Sequence, residues 1–474
     1  MNKKPTLALP LLVGSSALAL YLSLPSLGHN FDGVACAIAV ELGDFKHLVH
    51  GNHLAYGLAG FVFHRLVNAL GLALPAIWAL QVMDSLLGAL SAALFARMLL
   101  RLGRPAGVAA AAGMGLAVSY GWWLRSVDAQ VYLLAAPFMV LAFEEVLAER
   151  PRPLRLAALH TAAMLVHSVH VCFTPVALWA LLRAGKDYGE SRAGLGRYLA
   201  FCFLGVLAAY AAAVTLLVRP ETVEDLRVWL SGSAALGNQR DFRFIHAASL
   251  GSALAWWGRV SLKVVSIRPL LGLPLWGLAA WGWLAGASRR ERVAALVWVA
   301  GYAPLLLAYE PWNTDYRILE LIPLWALAAA AFSPERARGG ARALAFYAAA
   351  LGAVNAADAI LPLSRLAENP PLVKTLWLRR ILPEDAWVSA AAIDEVYIPY
   401  FSHRRTLNLR WHEGDPAGLR RRLDGLLERG EPVFVTSDHL AGWREAFGGY
   451  ELQHAGEQDG VVLYRLKGKP KGSL

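Results

Sequence analysis

The chain has 474 residues, of which 57% are hydrophobic and 17% charged, whereas soluble domains carry about 25% charged residues. That composition, with a mean hydropathy of +0.43, excludes an ordinary soluble domain and predicts a polytopic membrane protein. The formal net charge of +10 falls mostly in short loops between apolar runs, where it sets membrane orientation, so it implies no nucleic-acid partner.

Taken in chain order, apolar runs cover 6–27, 76–100, 106–123, 129–148, 154–168, 169–184, 197–218, 270–287, 292–309, 318–333 and 341–359, about eleven spans in a window suited to a bilayer. The first run is too long for the core of a signal peptide and is expected to stay as an anchor. The 154–184 stretch is short for two crossings; it reads as one long tilted helix or as a hairpin of short ones.

Lys3 and Lys4, Arg97, Arg101 and Arg104, Arg150, Arg152 and Arg155, Arg183, Lys186, Arg192 and Arg197, Arg289, Arg290 and Arg292, and Arg336, Arg338 and Arg342 all fall on one side of an eleven-span chain. That side is the cytoplasm. A single span over 154–184 would throw the later clusters outside, so the charge rule favours the hairpin. The N-terminus is then cytoplasmic and the C-terminus extracytoplasmic. An Ala- and Arg-rich composition without an Asn-x-Ser/Thr sequon fits a bacterial inner membrane.

Two external regions break the pattern of spans. In 28–75, Val34 to Leu42 and His53 to Leu70 are too polar or too interrupted to cross, and are expected to lie along the interface. In 219–269, Glu221, Glu224, Asp225 and Arg227 precede Gly237 to Asp241 and the pair Trp256 and Trp257, as in an external loop with interfacial aromatics. Beyond Asp358 the character changes. Short β-prone runs at 386–389, 406–409, 432–436 and 461–464 alternate with helical spacing over 416–429 and 440–447. The chain therefore divides into a membrane domain, 1–360, which is an all-α bundle, and a small extracytoplasmic α/β domain, 361–474. In that tail His403 to Arg405 and Arg420 to Arg422 read as solvated charge.

Chemistry is expected where polar residues gather at the external ends of the spans. Asp32, with Asn30, follows the first span directly, and a carboxylate at the edge of the hydrocarbon is a functional candidate by default. Asn52, His53 and Tyr56 come next, then Arg125, Asp128 and Tyr132 at the mouth of a span. Glu310, Trp312, Asn313 and Arg317 form a dense short turn before another span. His167 and His170 share a helical face but lack partnering acids at metal spacing. Cys36, Cys172 and Cys202 are too few and scattered for a disulfide framework. No metal or cofactor is expected.

These segments together resemble the GT-C superfamily of integral-membrane glycosyltransferases, particularly its protein O-mannosyltransferase-like branch. Phe31-Asp32-Gly33 is similar in place and context to the catalytic acid after the first span. Asn52 to Tyr56, Val127 to Tyr132, and Glu310 to Arg317 with Pro323 resemble the motifs that follow. Gln130 stands where an acid is often found, and Tyr316-Arg317 reverses a common order. The resemblance implies a GT-C-like bundle and transfer of a sugar from a polyprenyl-phosphate donor to a hydroxyl of a lipid, glycan or protein acceptor. It also implies Asp32 as general base and the other named residues as substrate contacts. An arginine would stabilise the departing phosphate, Arg317 as first candidate and Arg125 as second, and direct displacement would invert the anomeric centre. The alternative reading is a transporter or flippase of a lipid-linked or small anionic substrate. The lack of internal repeats and the siting of polar residues at one membrane face rather than the midplane argue against it.

Overall fold

The computed structural model describes residues 7–188, 192–231, 249–332 and 337–468. Two compact units emerge, one of Met1–Ser26, Ala39–Gly232 and Phe242–Pro362, the other of Leu27–Ile38, Ser233–Asp241 and Leu363–Leu474. The boundary near Pro362 lies close to the expected one. The short segment that carries Asp32 groups with the C-terminal residues, which local composition gave no reason to expect.

The first unit is helical. Ala76–Arg101, Ser168–Lys186, Arg192–Val218, Arg289–Ala308 and Ala337–Leu363 are long and apolar enough to cross a bilayer, and Ala8–Ser23, Ala106–Val118, Pro153–Val166 and Pro269–Ala285 are shorter apolar helices. Of the two readings of 154–184, two helices is the one observed, since the backbone turns extended at His167. Glycines let helices approach within backbone distance, as in other membrane bundles: a Cβ at Gly282 would lie 1.8 Å from the Leu327 carbonyl oxygen. Helices do form in the two regions between spans, Phe31–Leu42 and Tyr56–Ala69 in 28–75, and Val223–Ser231 and Leu250–Lys263 in 219–269. Gly237 to Asp241, Lys3, Lys4 and Arg336 lie outside the described residues.

Basic clusters assigned to one membrane side do meet at one end of the bundle. Arg97 and Arg101 pair with Glu144, Arg104 with Glu291, Arg152 with Glu145 at 3.1 Å, and Arg290 with Glu149 at 3.2 Å. Arg97, Arg101, Arg104 and Arg290 thereby tie their helix ends to distant parts of the chain, whereas Arg152 folds back on Glu145 in the helix just before it.

The run expected over 106–123 is not one helix. Ala106–Val118 ends at Ser119, whose backbone is extended, and Tyr120–Ser126 starts anew. Such a break strands backbone polar groups where no water reaches them, so something internal must satisfy them. Fully buried Asn355 does so: its Nδ2 donates to the carbonyls of Val118 at 2.9 Å and Val265 at 3.2 Å, and its Oδ1 accepts from Ile267 N at 3.0 Å. Asn355→Leu keeps the volume but orphans the Val118 carbonyl and the Ile267 N–H at about 1–3 kcal/mol each, while the Val265 carbonyl keeps its bond from Tyr120 N at 2.9 Å. It is expected to lower the thermal unfolding midpoint of the purified protein far more than a substitution at exposed Phe346 of the same helix.

In the second unit a five-stranded sheet runs in the order β2-β1-β3-β5-β4, with β1 Trp387–Ala390, β2 Arg405–Asn408, β3 Val433–Thr436, β4 Glu451–Gln458 and β5 Val461–Lys467. The first three strands are parallel, and β5 returns antiparallel to β3 and β4. Asp459 and Gly460, both at positive φ, form the tight turn that two-residue hairpins favour. Pro416–Glu428 buries Leu419, Leu423 and Leu426 against the strands, the helical spacing read from the sequence.

Lys374 binds two acids here, Asp394 at 2.6 Å and Asp438 at 2.7 Å. Burial opposes the charge of both, but His439 and Lys374 bring Asp394 below its usual value, and the hydrogen bonds from Lys374 and Thr436 take Asp438 from 3.8 to about 2. A carboxyl depressed in the folded state stabilises it above the unfolded pKa and loses that contribution as pH falls toward the folded one. The sheet is therefore expected to weaken between pH 4 and pH 2. Circular dichroism across that range checks it, and Lys374→Met should flatten the dependence.

Candidate functional site

The site in the first unit is built from one polar stripe. Gln81, Asp84 and Ser85 lie three and four residues apart in the apolar helix Ala76–Arg101, so they share a face. Each receives a different outer segment. Gln81 Nε2 donates to the Ser26 carbonyl at 2.7 Å and Ser85 Oγ to the Ser126 carbonyl at 2.6 Å. Asp84 Oδ2 accepts from the Tyr56 hydroxyl at 2.8 Å and from Gln130 N at 2.9 Å. Gly88 extends the stripe, because a Cβ there would lie 2.2 Å from Ser126 Oγ.

The stripe thus fixes the turn that carries Arg125 and Asp128. Arg125 grips Asp315 with both prongs of its fork, Nε to Oδ1 and Nη2 to Oδ2, each at 2.8 Å, and reaches Asp128 Oδ2 through Nη1 at 2.8 Å. Burial works against the charge of this guanidinium, but Asp315 and Asp128 outweigh it and hold Arg125 above its ordinary range. Asp128 also accepts from Ala129 N at 2.9 Å.

An aromatic wall adjoins these charges. Tyr132 stacks on His167 with centroids 5.5 Å apart, and Tyr316 meets both rings edge-on at 5.8 Å. His53 stacks on His50 at 4.2 Å and lies 6.2 Å from His167. Burial lowers His50 and His53, so these two imidazoles are neutral hydrogen-bonding surfaces at physiological pH. Asn52 contributes its backbone, the carbonyl accepting from Ser168 N at 2.8 Å.

The late turn divides. Asn313 Nδ2 donates to Glu310 Oε2 at 2.8 Å and its Oδ1 accepts from Asp315 N at 2.9 Å, an arrangement that aims Asp315 at Arg125. Trp312 is exposed. Arg317 turns away into a pocket of its own, stacked 4.1 Å over Trp257, donating to Glu320 Oε2 at 2.7 Å and to Ser261 Oγ at 2.8 Å.

Asp32 and Asn30 belong to the second unit. Asn30 Oδ1 caps the helix Phe31–Leu42 by accepting from Gly33 N at 2.9 Å, which leaves Asp32 exposed in its first turn. The preceding loop is fastened by the Tyr397 hydroxyl, which donates to the His29 carbonyl at 2.7 Å, and by Phe401 stacked at 5.5 Å on the His29 ring. Burial brings that imidazole to about 4.

The structure therefore unites Tyr56, Arg125, Asp128 and Tyr132, joined by Asn52, His53, Glu310 and Asn313 around them, and sets Arg317 apart. It adds Asp84, Asp315, His167 and Tyr316. Asp84 had a signal in the sequence, as the sole acid in an apolar helix of 26 residues. Among the described residues, the group with metal-ligand spacing is Asp394, Asp438 and His439, in the C-terminal unit.

No protein-family model and no curated protein sequence matches the chain. Solved structures do. ArnT from Cupriavidus metallidurans bound to undecaprenyl phosphate superimposes with a TM-score of 0.69 at 13% identity, over 97% of each chain. Its apo state gives 0.69 at 14% identity, over 96% of this chain and 97% of that one. The Archaeoglobus fulgidus oligosaccharyltransferase in the apo form gives 0.51 at 12% identity, over 98% of this chain and 74% of that one. At these identities the likeness shows the fold alone: the chain shares the fold of these two proteins.

Proposed function

We propose that this protein is a membrane-embedded glycosyltransferase that moves a sugar from a polyprenyl-phosphate donor to an acceptor hydroxyl on a lipid, glycan or protein. One observation carries the reading. Arg125, held by buried Asp128 and half-buried Asp315, lies at helix ends of a fold shared over nearly its whole length with a protein solved bound to undecaprenyl phosphate. Transfer would occur at the extracytoplasmic face of a bacterial inner membrane, with the N-terminus in the cytoplasm and about eleven crossings.

In the reaction the acceptor oxygen attacks the anomeric carbon while its proton passes to Asp32. The bond from that carbon to the phosphate oxygen breaks, and its electron pair leaves with polyprenyl phosphate; a single displacement inverts the anomeric centre. Asp32 suits the role because it is exposed and sits at the positive end of a capped helix dipole. Arg125 is the better candidate for the departing phosphate. Its planar fork already holds the two oxygens of Asp315, and phosphate offers the same bidentate geometry. Its side chain is 15% exposed, against 3% for Arg317, which is committed to Glu320 and Trp257. Tyr132, His53 and Tyr56 would contact the sugar and head group, with Asn52, Asp128, Glu310, Trp312, Asn313 and Asn30 shaping the approach.

Binding of undecaprenyl phosphate to the purified protein, followed by native mass spectrometry, tests the reading. Arg125→Lys replaces the fork with a point charge and is expected to weaken retention of the lipid, whereas Arg317→Lys should leave it near the wild-type level. Equal loss in both proteins, or none in either, would remove Arg125 from the donor site.

A further inference from the structure

The proposed transfer makes no use of a crevice at the carboxyl ends of β1 and β3. The chain passes from β1 outward to β2 and then returns across β1 to β3, so successive connections leave β1 in opposite directions. Loops after β1 and β3 consequently part. Open α/β sheets with this 2-1-3 order bind ligands at that switch point. A cavity of about 260 Å³ lies there, with Lys374, Asp394, Asp438, Gln458 and Asp459 as its polar residues and Ile393 and Val461 among the apolar ones.

Its polar groups come from separate elements. Lys374 projects from Pro370–Ile381, Asp394 follows β1, Asp438 and His439 follow β3, and Gln458 ends β4. Lys374 lies between the two carboxylates, and its side chain is only 11% exposed. His439 backs the wall, with Nε2 at 3.2 Å from Asp394 Oδ2 and Nδ1 at 3.0 Å from Ser389 Oγ and 3.1 Å from Thr436 Oγ1. Three carbon-rich walls alone would not call for a buried lysine and acid, whose desolvation is costly.

The chemistry of the cavity narrows the ligand. The carboxylates of Asp394, Asp438 and Asp459 against one ammonium leave a negative rim that repels phosphates and acids. A metal ion would have to displace Lys374 from both of its partners. Neutral hydroxyl groups fit, because each can donate to a carboxylate and accept from Lys374 or the Gln458 amide, while Ile393 and Val461 suit the C–H face of a ring. We infer that the switch-point cavity of the C-terminal unit binds a neutral sugar ring, a recognition function separate from the transfer reaction.

Saturation-transfer NMR on the full-length protein in detergent micelles tests this, with the methyl glycosides of glucose, mannose, galactose and xylose as probes. Ring protons of at least one probe are expected to gain saturation. The signal should be lost in Lys374→Met and weakened in Gln458→Ala, which leaves the ion network untouched and guards against a folding defect as the cause. It should persist in Asp32→Asn, so that binding here and transfer fail independently. Absence of saturation for all four probes would overturn the assignment, as would a signal that survives both cavity variants. Calorimetric binding of calcium or zinc that is abolished by Asp438→Asn and excludes the sugars would overturn it too, making the cavity a cation site.

Discussion

Replacing Asp32 with asparagine is expected to slow sugar transfer by about 10²- to 10⁴-fold, the usual cost of losing a general base. The amide keeps the shape and hydrogen-bonding reach of the carboxylate but cannot take the acceptor proton. Because Asp32 is exposed and the helix Phe31–Leu42 is capped by Asn30 rather than by Asp32 itself, the variant should fold and insert normally. Donor binding should survive as well, so the loss belongs in turnover and not in lipid retention. Steady-state transfer by wild-type and variant proteins at matched amounts of folded protein checks this; wild-type turnover by the variant would eliminate Asp32 as the base.

The second large effect concerns stability. Arg125 neutralises Asp128 and Asp315, whose side chains are 2% and 16% exposed. Arg125→Leu would leave two acids without their shared counter-charge, and removing one partner of a buried ion pair typically costs about 3–5 kcal/mol. The double variant Arg125→Leu with Asp315→Asn should recover part of that loss, because residues in one network are not additive. Thermal unfolding of the three proteins in the same detergent measures it. An unchanged midpoint in Arg125→Leu would mean that water reaches the cluster freely.

Much of the membrane domain was legible in the sequence because a bilayer imposes a simple rule, a long apolar run with basic residues on one side. The long apolar helices and the interruption of the spans over 28–75 by the helices at 31–42 and 56–69 follow from it. Hydropathy alone could not register the break at Ser119. Its cause is long-range, an amide from Asn355 that satisfies the interrupted backbone 237 residues away in sequence. In the C-terminal domain the strand Glu451–Gln458 escaped detection because, exposed along most of its length, it lacks the apolar alternation of a half-buried strand. Its Asp459-Gly460 turn was the available signal.

The candidate site was legible as a set of polar clusters, not as a set of partners. Arg125 with Asp128 could be read from a spacing of three. Asp315 could not be assigned to Arg125, since nothing local couples residues 190 positions apart. The sequence put Arg317 ahead of Arg125 as the phosphate ligand, and burial and partners reverse that order. Arg317 spends its fork on Glu320 and Ser261 beneath Trp257, while Arg125 keeps a solvent-accessible edge.

The central claim is that a sugar leaves polyprenyl phosphate on this protein, and the most direct test is to follow both halves of the donor. Membranes or proteoliposomes containing the protein would be supplied with a polyprenyl-phosphate sugar labelled differently in sugar and lipid, together with a crude envelope acceptor. The account predicts free polyprenyl phosphate appearing in step with sugar-labelled acceptor, and neither with Asp32→Asn. Donor that crosses the bilayer with both labels still joined, at the same rate in both proteins, would contradict it and make the protein a transporter.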